Sequence, residues 1–96
     1  MVQSFKKIKS TVIGALRNGS YQHEVRNNVN VKNLLMTGQV SANDVDKILS
    51  NCTSDQLTTS QHHDDSSIDV HVVTKGTWYI KFYFLDPNTV FISVHE

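Results

Sequence analysis

The chain has 96 residues, nine basic and nine acidic side chains, a formal charge of zero, 39% hydrophobic residues and 19% charged ones. This is material for a single hydrophobic core; it excludes disorder by composition and a membrane-spanning chain, and a balanced charge does not announce a nucleic-acid ligand. Cys52 is the single cysteine, which excludes an internal disulfide and a cysteine zinc cluster, and no apolar leader run follows the first lysines, so a cytoplasmic location is expected.

In residues 2–17 the apolar side chains Phe5, Ile8, Val12, Ile13 and Leu16 recur at helical spacing, and Asn18-Gly19 supplies a stop. This predicts a first helix, with Lys6, Lys7 and Lys9 mainly on its solvent side or against an RNA backbone. Residues 19–30 are polar and rich in asparagine, with no clean period, and read as a loop. A short second helix is expected over 31–37, capped by Asn30 and ended by Gly38, with Leu34 and Leu35 turned inward. Ser41-Ala42-Asn43-Asp44 has the form of a capping box, and Val45, Ile48 and Leu49 supply the apolar stripe of a third helix. Residues 56–67, QLTTSQHHDDSS, carry no apolar pattern and read as a polar loop, either a linker or a segment that contacts substrate.

The last third, residues 68–96, contains three short runs of β-branched and aromatic residues separated by TKGT and DPNT. The expectation is a three-stranded antiparallel meander with the N-terminal helices packed on one face, an α+β fold in a single domain spanning 1–96. Within it, 1–53 is mainly helical, 54–67 a polar loop and 68–96 the meander. Alternate side chains point to opposite sides of a strand. One face would therefore carry Trp78, Ile80, Phe82, Val90, Ile92 and Val94, and the other Asp69, His71, Tyr79, Lys81, Tyr83, Ser93 and His95. Keeping one face wholly apolar requires paired residue numbers with even sums. Three-residue loops at Thr74-Lys75-Gly76 and Pro87-Asn88-Thr89 meet that condition and set Asp69, Lys81 and His95 in a row, with His71 facing Tyr79 and Tyr83 facing Ser93.

Such a row has the chemistry for cleaving RNA through its own 2′-hydroxyl: a base, an acid and a cation to stabilise charge on the phosphorane. The expected catalytic set is His71, Tyr79, Lys81 and His95, with His62, His63, Tyr83 and Ser93 as substrate contacts and neither metal nor cofactor. An ordinary solvated sheet face carries the same residue types. His62-His63-Asp64-Asp65 offers metal-ligand chemistry, but adjacent residues point apart, and a site there would need His71 or His23.

The order of these elements, with Leu34-Leu35-Met36-Thr37-Gly38-Gln39-Val40-Ser41, the Thr53-Ser54-Asp55 turn, Asp69-Val70-His71, Trp78-Tyr79-Ile80-Lys81 and Phe91-Ile92-Ser93-Val94-His95, resembles the motility quorum-sensing regulator (MqsR) toxins. More loosely it is similar to the RelE-type small bacterial ribonucleases. The resemblance implies a compact α+β endoribonuclease toxin that cleaves mRNA or tRNA without metal and is neutralised by a cognate antitoxin or immunity protein. Tyr79 matches a tyrosine implicated in that family's activity, and His95 stands where the family has a near-terminal lysine. Thr58 replaces the family's lysine after the Ser-Asp turn, and Ile68 its glutamine before Asp-Val, so histidines would have to supply the acid–base chemistry. The alternative expectation is a non-catalytic protein-binding module, such as an immunity protein or a phage-encoded inhibitor.

Overall fold

The computed structural model describes residues 4–24, 33–61, 67–85 and 88–96. The elements run α1 (Phe5–Asn18), β1 (Tyr21–His23), α2 (Leu34–Thr37), α3 (Ala42–Ser50), a 3-10 turn (Ser54–Gln56), β2 (Leu57–Gln61), β3 (Asp69–Lys75), β4 (Trp78–Leu85) and β5 (Asn88–His95). The fold is α+β, as the sequence implies, but the sheet is larger than expected: five strands in the order β1-β5-β4-β3-β2. It is also mixed, because β1 runs parallel to β5 while the other pairs are antiparallel.

The helices form where their caps place them. Ser4 accepts a hydrogen bond from the Lys7 N–H, and Gly19 ends α1 with φ at 80°, a left-handed conformation that suits glycine. Ile8, Val12 and Leu16 sit one turn apart along α1 and are buried. In α3 the capping box is complete: the Asp44 N–H donates to Ser41 Oγ at 3.1 Å, and the Ser41 N–H donates to the Asp44 carboxylate at 2.9 Å. That pairing satisfies two backbone donors that the helix end leaves open and holds the Asp44 carboxyl below the usual carboxylate range. Arg17 bridges to Asp46 at 2.7 Å and ties α1 to α3. The second helix is shorter than expected, and its cap is Asn33 rather than Asn30.

Ile8, Val12, Leu16, Leu35, Val45 and Leu49 close over Val73, Ile80, Phe82, Phe91 and Val94 of the sheet. Phe82 and Phe91 are fully buried, and burying each contributes about 2–3 kcal/mol. The opposite side of the sheet, called here the far face, is not wholly polar. It carries a second buried cluster of Val70, Tyr83, Val90 and Ile92, with Ile68 packed against it.

That second cluster removes the premise of the parity rule, and the register differs accordingly. Lys75 pairs with Trp78, leaving a two-residue turn of Gly76-Thr77 instead of the three-residue loop expected at Thr74-Lys75-Gly76. Gly76 has φ of 60° at the first central position, the glycine-first pattern of a type II′ hairpin turn. His71 therefore faces Phe82, Val72 faces Lys81 and Thr74 faces Tyr79. The pairs His71–Tyr79 and Asp69–Lys81 do not form. Asn88 and Thr89, expected in a loop, belong to β5, where they pair with Leu85 and Phe84.

Two further strands arise in stretches that read as loops. Leu57–Gln61, within the expected polar loop 54–67, pairs along β3, and Tyr21–His23 pairs with Thr89–Phe91. Among the described residues, no helix is long and apolar enough to cross a membrane.

Candidate functional site on the far face of the sheet

One irregularity in β5 composes the site. From Leu85↔Asn88 to Phe82↔Phe91 the pairing is regular; it then shifts, so that Lys81 pairs with Ser93 and Tyr79 with His95. Ile92 is the extra residue, a β-bulge. With an unbroken register His95 would oppose Trp78, on the helix-covered side with Ile80 and Phe82. The bulge instead turns Ser93 and His95 to the far face and Val94 to the core beside Ile80.

The consequence is a compact polar group. The Tyr79 and His95 rings stack with centroids 5.2 Å apart and an interplanar angle of 21°. Directly opposed strand positions bring side chains into such contact. His95 Nδ1 lies 3.0 Å from the main-chain oxygen of Glu96. Because that oxygen can only accept, Nδ1 carries the proton in the neutral ring and Nε2 is left as the basic nitrogen. Lys81 lies one same-face position along from Tyr79, about 7 Å at the usual strand rise, with Ser93 opposite it. Thr58, Val72, Lys81 and Ser93 form one row across four strands, and Thr74, Tyr79 and His95 the adjacent row.

The other expected site residues are placed differently. His71 is on the opposite side of the sheet, 4% exposed, with its ring 5.6 Å from Phe82 and 5.3 Å from Phe84. Its Nδ1 lies 3.0 Å from the Thr59 hydroxyl. Burial pushes its pKa below the ordinary histidine value, and the nearby Asp69 charge offsets part of that shift. The two histidines expected to act as acid and base are thus separated by the sheet. Lys81 does not face His95, and Tyr83 does not face Ser93; each pair is displaced by one step, with Tyr83 opposite Val90. Tyr83 is buried in the far-face cluster, and its hydroxyl donates to the Glu24 carboxylate at 3.2 Å. It closes the apolar side of the site rather than offering an open ring. Asp69 pairs with Gln61 at the end of β3. His62 and His63 lie outside the described residues.

His23 sits in a second polar knot. Its Nδ1 accepts from the Asn33 side chain at 3.1 Å, its ring meets Tyr21 edge-on at 5.7 Å, and burial lowers its pKa. Asn33 also bridges to Val94 and caps α2, so this knot fastens the free edge of β5. Cys52 is buried, and burial raises its thiol pKa, the reverse of what a nucleophile needs. Among the described residues, no three His, Cys, Asp or Glu side chains gather into a metal-binding group.

Sequence reasoning missed the bulge at Ile92 and the Glu24–Tyr83 contact. No residue type marks the bulge, and Glu24 lies in a polar stretch without periodicity. The fold and site define an α+β domain with a mixed sheet and a Tyr-His-Lys group on its far face. No family model, curated protein or solved structure matches the chain.

Proposed function

We propose that this protein is an endoribonuclease acting on mRNA or tRNA, and that it uses a single histidine, His95, together with Lys81 and Tyr79. The observation that carries the reading is the bulge-directed stacking of His95 on Tyr79, beside Lys81 on the same face. His95 Nε2 removes the proton of the 2′-hydroxyl, and that oxygen attacks the adjacent phosphorus. Lys81 stabilises the charge that builds on the phosphorane, and the Tyr79 hydroxyl protonates the departing 5′-oxygen. The products are a 2′,3′-cyclic phosphate and a 5′-hydroxyl. Ser93, opposite Lys81, offers a hydroxyl to the phosphate, and Thr58 stands farther along the same row beyond Val72. The resemblance of Tyr79 and His95 to functional positions of the motility quorum-sensing regulator toxins supports the same assignment. An RNase of this kind works in the cytoplasm and needs a neutralising antitoxin or immunity protein.

A second reading, a non-catalytic module that binds another protein through this face, draws on the zero formal charge and the apolar cluster beside the polar group. End-group analysis of labelled RNA separates the two. Catalysis predicts fragments with cyclic phosphate ends that disappear with His95→Ala, while the melting temperature of that variant is unchanged. Intact RNA at high wild-type concentration, with a stable protein complex recovered instead, would establish the binding module.

A further inference from the structure

We infer that the cleft between α1 and the β4–β5 end of the sheet is a binding site for a nucleoside monophosphate. The cleft has a volume of about 560 Å³ and lies on the helix side of the sheet, away from the Tyr79–His95 pair. The inference is therefore independent of the proposed RNase activity. That volume falls within the range of small-molecule pockets, roughly 300–1,000 Å³.

Two observations on unrelated residues mark it as a built site. Thr89 lines the cleft and is 2% exposed. Its N–H donates to the Ser20 carbonyl at 3.1 Å, but its hydroxyl has no hydrogen-bond partner among the described residues. A buried hydroxyl without a partner is costly, and a polar group held in the cleft in place of water would satisfy it. The second observation is Gly14, in the middle of α1, which also lines the cleft. Glycine is the poorest helix former apart from proline, and a Cβ built at Gly14 would meet nothing within 4 Å. Packing therefore does not demand glycine there. A side chain at that position would enter open space beside the cleft.

The lining defines the ligand class. Phe84 supplies an aromatic wall, Asn88 an amide with donor and acceptor side by side, and Ser10 and Thr89 hydroxyls. A planar base with hydrogen-bonding edges uses that set. Lys7 lines the cleft and makes no ion pair among the described residues, and no carboxylate among the described residues lines the site. A phosphate is the complement of such a cation. Base and phosphate together make a nucleotide.

Titration of the full chain with AMP, followed by backbone amide NMR shifts and calorimetry, tests the assignment against adenosine and inorganic phosphate. AMP should bind at least tenfold more tightly than either fragment, with shifts centred on Gly14, Phe84 and Thr89. Gly14→Leu, which adds a bulky side chain to the wall of the cleft, should weaken AMP at least tenfold without lowering the melting temperature. Thr89→Val, which keeps the shape and deletes the hydroxyl, should weaken it several-fold and remains informative if the leucine variant fails to fold. No AMP binding at millimolar concentration would overturn the inference. So would phosphate binding as tightly as AMP, shifts confined to the Tyr79–His95 face, or an AMP affinity indifferent to both substitutions.

Discussion

His71→Ala separates stability from activity. The imidazole is 4% exposed, packs against Phe82 and Phe84, and bonds to the Thr59 hydroxyl at 3.0 Å. Removing a buried ring leaves a cavity, and the lost hydrogen bond adds to it; together these cost about 3 kcal/mol. Thr59 is exposed and re-forms a bond with water, so it adds little. For a chain of 96 residues, at about 4–8 °C per kcal/mol, the melting temperature should fall by about 12–24 °C. His71→Leu, which nearly keeps the volume, should cost no more than about 1.5 kcal/mol. RNA cleavage by the leucine variant, measured where it is fully folded, should match the wild type. The assay is thermal unfolding by circular dichroism beside an RNA-cleavage time course. A His71→Ala protein with an unmoved melting temperature and no cleavage would refute the reasoning, because it would make His71 a catalytic group despite its burial on the helix side.

The same burial predicts a pH dependence of stability. His71 and His23 both have folded-state pKa values depressed below 6.5 by desolvation. Their contribution is fully present above that value; as pH falls through it the unfolded chain takes up protons first, and stability declines until the folded-state values are passed. Melting temperatures recorded from pH 8 down to 5 should drop mainly below about pH 6.5, and His71→Leu should flatten the drop. Asn33→Ala should destabilise the fold by about 2 kcal/mol, because Asn33 is 5% exposed, caps α2 through the Met36 N–H and donates to the Phe91 carbonyl and His23. Denaturant unfolding measures it, and an effect below about 0.5 kcal/mol would mean the knot at the β5 edge is not structural.

The helices were legible because their signals are local. Ser41 and Asp44 three residues apart, and Ile8, Val12 and Leu16 one turn apart, set α3 and α1 without reference to anything distant. The sheet register was not. Val70, Val72 and Val73 make both alternations of β3 look apolar, and only the type II′ turn at Gly76 and packing under α1 and α3 select His71 and Val73 for the helix side. In β5 the bulge at Ile92 reverses the alternation midway, so Phe91 and Val94 share a face although their numbers differ in parity. β2 escaped notice because it is an edge strand with one half-buried residue, Leu57, and an exposed Thr-Thr-Ser-Gln remainder. Its adjacent threonines were the available β signal. Tyr79, Lys81, Ser93 and His95 were placed together correctly on one face because their group depends only on β4 and the end of β5. His71 was misplaced because it depends on the first hairpin.

The proposed mechanism depends most heavily on His95 as the base, and chemical rescue tests that role directly. His95→Ala should keep the wild-type melting temperature and lose about 10²–10⁴-fold in RNA cleavage rate, the usual contribution of a positioned acid or base. Added imidazole should restore part of that rate in proportion to its neutral form, and His71→Leu should need no rescue. Full cleavage by His95→Ala without imidazole would contradict the account.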